Sequence, residues 1–354
     1  MSGAARADRL VALLDERDLD CVLVTNLVNV RYLTGFTGSN GACVVSRDER
    51  VFLTDFRYVE QARQQVRDFD RVKGERDLLE DMAARLRGRA GFDDAHLSVR
   101  MHRRLEERVA EGVELVAAGG LVERLRAVKD EGELRAMRAA AEVADAAYAE
   151  LRERGLTGRT ELEVARSLVR FMEERGADEV SFPPIVAAGA HGALPHAQPR
   201  DLEIPRGTLV VVDMGARTDG YCSDCTRTLA TGPLDDRPME AYEVVKTAQV
   251  EAVDAVRAGA VRREVDARAR ERVEAGIGVG FEHGLGHGVG LEVHEEPRLA
   301  RTAEGSLETG NAVTVEPGVY LPGEFGIRIE DLVAVSDDGC EVLTGFPKEL
   351  LTVD

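Results

Sequence analysis

Residues 208–230 read TLVVVDMGARTDGYCSDCTRTLA, and the way this stretch folds decides the architecture of the chain. Leu209 to Val212 are β-favouring apolar residues that end at Asp213, Thr218-Asp219-Gly220 supplies turn chemistry, and Asp224 lies on the return strand. The two carboxylates are eleven positions apart. An odd separation across a tight hairpin lets both side chains share a face, directly opposite or on the diagonal, within the few ångströms that a shared metal ion demands. A single acid at a strand end is ordinarily a solvated rim residue. The pattern, however, recurs. NAVTVEPGVY (311–320) carries Glu316 at the end of an apolar strand, and GIRIEDLVAV (326–335) carries Glu330 in a strand whose alternation turns Arg328 to the same side.

The recurrence extends to the order of elements. A helix over 131–154, opened by the Asp130/Glu133 capping-box spacing, and a second over 161–175, opened by Thr160/Glu163, precede the strand pair around 208–230. A helix over 237–258 ending at Gly259 and a shorter one near 263–275 ending at Gly276 precede the pair around 311–335. This predicts an α+β domain over residues 126–354 with a pseudo-twofold internal duplication. Upstream, Leu10, Val11, Leu13 and Leu14 form a helical stripe, and CVLV, ACVV and VFLTD read as strands, which predicts a separate α/β domain over residues 1–125.

Between the acidic pairs lies FEHGLGHGVGLEVHEEP (281–297), holding three of the seven histidines. Glycines at 284, 286, 288 and 290 make a helix improbable. An extended strand puts His283, Leu285, His287, Val289 and Leu291 on one face, leaves the other bare for close approach of another backbone, and sends His294 to the opposite face or past a bend. Four buried carboxylates in one place cannot all ionise without cations. Two divalent cations balance them, and oxygen-rich donors without thiolate favour Mn, Co or Fe over a structural zinc. Cys222 and Cys225 spell CxxC, but with no second CxxC they are expected to face away from the metals into packing.

The formal charge of −19 argues against nucleic acid and against acidic membrane surfaces as partners. No apolar run approaches the length of a membrane span, the N-terminal stretch MSGAARADRL is charged, and the five cysteines are odd in number and scattered, so a cytoplasmic location is expected.

Taken together, DMGARTDGYCSDCTRT, GALPHA, FEHGLGHGVGLEVHEEP, TVEPGVY and GIRIEDLV resemble the metallopeptidases of the pita-bread fold, the group of methionine aminopeptidase, aminopeptidase P and prolidase. NVRYLTGFTGSNG and FLTDFRYVEQA resemble the N-terminal domain of the proline-specific branch, so the resemblance covers the whole chain. It implies that Asp213, Asp224, His287, Glu316 and Glu330 bind two divalent metal ions, manganese first with cobalt, iron or zinc as alternatives, and that Asp224 and Glu330 bridge them. It implies a substrate contact for His196 and a place for His294 facing the scissile amide, and it matches His283 to a further histidine of the proline-specific members. Glu316 is then the candidate to shuttle the proton, His294 and His283 can assist catalysis or hold the substrate, and Arg328 anchors a substrate carboxylate or steadies the carboxylate network. Cys225 and Leu285 depart from the usual aliphatic residue and threonine of the family, without touching the ligand set. His191 has no counterpart and is assigned to a surface loop.

The implied activity is hydrolysis of Xaa-Pro bonds in a dipeptide or short peptide. A dipeptidase is preferred on chain length and on the short Glu316 to Glu330 interval, an aminopeptidase P acting on longer peptides is the alternative, and a catalytically inactive binding protein of this fold is a remote one. The family also implies a homodimer in which the first domain caps an active site, with Arg31 or Arg57 as a cation for a short substrate's C-terminus.

Overall fold

In the computed structural model, which describes residues 1–354, the chain divides into two compact units, Met1–Arg126 and Ala127–Asp354. The first contains strands β1 (Cys21–Val24), β2 (Gly41–Ser46), β3 (Arg50–Thr54), β4 (Asp70–Lys73), β5 (Arg89–Phe92) and β6 (Glu114–Ala117), interleaved with helices α1 (Gly3–Glu16), α2 (Leu27–Thr34), α3 (Val59–Gln65), α4 (Leu79–Ala83), α5 (Val99–Glu106) and α6 (Leu121–Ala127). The strands form one sheet in the order β4-β3-β2-β1-β5-β6, with β1, β5 and β6 parallel to one another and β2 antiparallel to both of its neighbours. Buried Leu23, Val44, Leu53 and Ala90 anchor its core, as expected of an α/β layer. Arg57 binds the buried Asp55 carboxylate through both Nε and Nη2, at 2.9 and 2.7 Å, so its guanidinium is engaged within its own unit.

The second unit is built twice over. Helices α7 (Glu131–Arg154) and α8 (Glu161–Glu174) both open with complete capping boxes, Asp130/Glu133 and Thr160/Glu163. Strands β7 (Glu179–Val180), β8 (Ile185–Ala188), β9 (Leu209–Met214), β10 (Ala216–Thr218), β11 (Tyr221–Cys222) and β12 (Cys225–Ala230) follow. Then α9 (Asp236–Val253) and α10 (Arg262–Ile277) repeat the helix pair, and β13 (Gly286–Gly288), β14 (Glu295–Leu299), β15 (Ala312–Val315), β16 (Gly318–Leu321), β17 (Phe325–Arg328), β18 (Asp331–Val335) and β19 (Cys340–Val342) repeat the sheet. The sheet order β12-β9-β8 in one half corresponds to β18-β15-β13 in the other. Helix α10 runs through Gly276 to a left-handed cap at Gly278, because Gly276 is a packing glycine: a Cβ there would lie 2.6 Å from Val244 on α9. Helix α9 stops at Val253, five residues before the position that Gly259 suggests. The halves join where β12 meets β18. Glu330 N–H donates to Thr226 O (3.0 Å), and buried Arg227 reaches from β12 to Asp331 (2.8 Å). No helix is long and apolar enough to cross a membrane.

Candidate metal centre and substrate cavity

The duplication sets the acids in equivalent places. Asp213 is next to last in β9 and Glu316 follows β15 directly, while Asp224 and Glu330 stand one residue before β12 and β18. Asp213 pairs with Thr226, which puts Asp224 on the diagonal from Asp213. The connection between them is not a simple hairpin. The β10–β11 pair closes on Asp219-Gly220, both at positive φ, and the chain bends at Gly215, where a Cβ would lie 1.9 Å from Ser223 O.

The glycine-rich histidine stretch enters beside them, with the strand cut short. Only Gly286–Gly288 pairs as β13, with a register shift between its pairings to Leu299 and Glu295, and the chain bends after Val289, carrying His294 back. Bare glycines admit the neighbouring backbones: Cβ atoms at Gly286 and Gly288 would lie 1.9 Å from Thr314 O and 2.2 Å from Glu296 O. Leu285 and Val289 are fully buried in two separate apolar clusters. Cys222 and Cys225 are also fully buried and take no part in the acidic cluster.

His287 Nδ1 lies 3.0 Å from Gly288 O, so that nitrogen carries the proton and the Nε2 lone pair faces Asp224 Oδ2 (3.6 Å) and Glu316 Oε1 (3.4 Å). Ligand atoms of Asp224, His287 and Glu330 all lie within 4.8 Å of one another, which makes a cluster able to hold a metal ion. Glu316 and Asp213 flank this trio. Glu316 meets it through His287, whereas Asp213 Oδ2 accepts from Arg328 Nη2 at 2.6 Å. Burial drives the Asp224 and Glu330 carboxyls far above the usual range, and the neighbouring carboxylates push in the same direction; burial raises Glu316 to about 7. Burial lowers His287 and His283 to about 4, keeping both imidazoles neutral. Asp213 Oδ1 and Asp224 Oδ1 are buried without a hydrogen-bond partner. Orphaned acceptors, carboxyls destabilised by one another and a lone pair aimed among them fit divalent cations.

These groups floor a cavity of about 500 Å³, with Phe182, His196, His283, His294, Arg298 and Tyr320 among its walls. His294 is exposed, and its ring meets that of His287 edge-on at 4.4 Å between centroids. His283 Nδ1 lies 2.7 Å from Gly284 O, so its Nε2 accepts from Tyr320 O–H (3.0 Å), and that oxygen accepts from Arg328 Nη1 (3.1 Å). Arg328 is spent on the site itself: Nε donates to Thr226 Oγ1 (3.0 Å), and Nη1 also donates to Pro195 O (3.1 Å). Thr226 Oγ1 in turn donates to Glu330 Oε2 (2.7 Å), and Thr314 Oγ1 to Glu316 Oε1 (3.1 Å).

Tyr320, Thr226, Thr314 and Arg298 escape the reading of the sequence. Each lies within four residues of one of the site's acids or of His294, and for Thr226 and Thr314 the signal was an offset of two from Asp224 and Glu316. His191 corrects the assignment to a surface loop. Its side chain is only 7% exposed and its Nδ1 lies 2.9 Å from Glu161, because a buried carboxylate thirty positions away claims it.

Two matched α+β halves closing on buried carboxylates and an imidazole define a metal-dependent hydrolase. Comparison with known proteins agrees. Residues 135–337 match the model of metallopeptidase family M24, and residues 6–128 match the creatinase/prolidase N-terminal domain. An Xaa-Pro dipeptidase of Pyrococcus furiosus is 35% identical over 98% of this chain and 99% of its own. The structure of an Xaa-Pro dipeptidase from Bacillus anthracis superposes with a TM-score of 0.95 at 39% identity, covering 99% of this chain and 100% of that one. That of an X-Pro aminopeptidase from Thermotoga maritima gives 0.89 at 35% identity, covering 98% and 100%. The chain belongs to metallopeptidase family M24 and has the two-domain pita-bread architecture of its proline-specific branch.

Proposed function

We propose that this protein is an Xaa-Pro dipeptidase that works with two divalent metal ions. The observation that carries the reading is the acidic floor of the cavity: buried Asp213, Asp224 and Glu330 and the partly buried Glu316 line it with His287, and two of their oxygens have no partner. Asp213, Asp224, His287, Glu316 and Glu330 would hold the ions. Their oxygen-rich, thiolate-free set suits manganese first, with cobalt, iron or zinc as alternatives. When bound, the ions would acidify a water and polarise the scissile carbonyl.

The protein's own groups handle protons and position. Glu316, on the cavity floor with Oε1 3.4 Å from His287 Nε2, would take the proton from the nucleophilic water and return it to the leaving nitrogen. That return is needed because an Xaa-Pro nitrogen carries no hydrogen and leaves as a secondary amine only once protonated. His294, which lines the cavity with its pKa lowered by partial desolvation, would face the scissile amide. His196 contacts the substrate from the opposite loop, and His283, held through Tyr320, steadies the proline end. Arg298 lines the cavity with an exposed side chain and is the better anchor for the substrate carboxylate. Arg328, with its guanidinium engaged by Asp213, Thr226, Tyr320 and Pro195, steadies the carboxylate network.

The Thermotoga relative named as an X-Pro aminopeptidase supports a second reading, cleavage of Xaa-Pro from longer peptides. The intact acid and imidazole set speaks against a catalytically inactive binding protein. A cytoplasmic homodimer completes the proposal, supported by five unpaired cysteines and the family resemblance. Initial rates of metal-loaded protein on Xaa-Pro, Xaa-Ala and Xaa-Pro-Yaa test it. A dipeptidase prefers Xaa-Pro over both others, and a preference for Xaa-Pro-Yaa moves the protein to the second reading.

A further inference from the structure

Residues 188–200 leave β8, make a 3₁₀ turn over Gly189–Ala193, bring Pro195 and His196 to the cavity and return to helix α8. A single carboxylate holds this loop at its start, middle and end. Glu161, the first residue of α8 and 1% exposed, accepts from Ala188 N–H (2.9 Å), from Arg200 N–H (2.9 Å) and from the Arg200 guanidinium (3.2 Å at both Nε and Nη2), and it faces His191 Nδ1 at 2.9 and 3.0 Å. Helix capping does not account for this acid, since Thr160 and Glu163 form the capping box by themselves. Burial alone would raise its pKa, but the Arg200 guanidinium, the two backbone N–H groups and His191 hold it below the ordinary value. The inner side of the loop is fitted just as closely to the site. Pro195 O accepts from Arg328 (3.1 Å), and Gly192 backs onto Gly326, where a Cβ would lie 1.8 Å from Gly192 O.

We propose that Glu161, acting with His191 and Arg200, is a positioning residue that clasps residues 188–200 and thereby fixes His196 at the cavity wall. The inference rests on His196 being a substrate contact, and it deepens that reading. Glutamine at 161 keeps the shape but turns one oxygen into an N–H donor, and each carboxylate oxygen faces only donors, so part of the clasp must open.

Full-length, metal-loaded Glu161→Gln, Glu161→Ala, His196→Ala and the Glu161→Gln/His196→Ala double variant test it, with the parent as reference. Amide hydrogen exchange reads the clasp directly. Residues 188–200 are expected to exchange about tenfold faster or more in Glu161→Gln, with strand Leu209–Met214 unchanged. On an Xaa-Pro dipeptide, Glu161→Gln is expected to lose up to about 10²-fold in kcat/KM with bound metal retained, as misplacement by about an ångström would produce. In the His196→Ala background the same change should cost under about twofold, because the two residues act through one contact. Loop protection equal to the parent's overturns the clasp, and multiplicative losses, or a His196→Ala variant of full activity, overturn action through His196. Should Glu161→Ala not fold, the near-isosteric glutamine variant decides. A parent without Xaa-Pro hydrolysis would refute the proposed function instead, and the exchange experiment would still decide the clasp.

Discussion

Replacing Arg328 by alanine separates a guanidinium that supports the site from one that binds substrate. The side chain is 5% exposed and donates to Asp213 at 2.6 Å, Thr226 at 3.0 Å, and Pro195 O and Tyr320 at 3.1 Å. Its removal leaves the Asp213 carboxylate buried beside three other acids without its cation. Breaking one side of a buried ion pair costs about 3–5 kcal/mol. For a unit of this size that is a fall in Tm of about 6–20 °C, provided metal is chelated so that no other cation neutralises Asp213. Urea and thermal unfolding in chelator measure it. The loss should shrink when metal is restored, and kcat/KM should fall by a similar factor, about 10²–10³, on Xaa-Pro and Xaa-Pro-Yaa alike. Unchanged stability together with a loss confined to dipeptides would rule out the supporting role and make Arg328 the carboxylate anchor.

Asp224→Ala and Glu330→Ala should each abolish activity and lose bound metal, as read by elemental analysis; retention of both ions at an unchanged rate would remove them from the ligand set. Burial raises Asp224, Glu316 and Glu330, so the folded metal-free protein holds more protons than the unfolded chain and its stability should fall as pH rises. His283 and His287, lowered to about 4, oppose this only below the ordinary histidine pKa of about 6.5, so a urea midpoint in chelator should drop between about pH 6.5 and 8, and a rising midpoint would contradict the assignment. Gly286→Ala would put a methyl 1.9 Å from Thr314 O and should destabilise by about 3 kcal/mol or more, visible in the same unfolding assay; an unchanged midpoint would mean the strands are not packed this closely.

The duplicated order of helices and strands was legible because it depends on local chemistry: capping boxes at Asp130 and Thr160, apolar runs ending at Asp213 and Glu316, and turn residues at Asp219-Gly220. Glycine misleads where its reason is tertiary. Gly276 reads as a helix end but lies inside α10, where it lets Val244 approach. Periodicity alone also lengthened the histidine strand, since a register shift after Gly286 and the bend after Val289 depend on pairing with β14, which alternation does not encode. His191 was illegible for a similar reason: its partner Glu161 is distant in sequence and sits in a helix turn that has its own capping acid. Tyr320 and Thr226 carry hydroxyls that look like ordinary strand residues until Arg328, His283 and Glu330 converge on them.

The most direct test of the proposed two-metal site is to titrate chelator-stripped protein with manganese while following both metal binding and hydrolysis of an Xaa-Pro dipeptide. No activity is expected without metal, and the rate should rise until about two equivalents are bound, with no loss of fold at either end. Hydrolysis that persists in the stripped protein, or none at saturating manganese, cobalt, iron or zinc, would contradict the proposal.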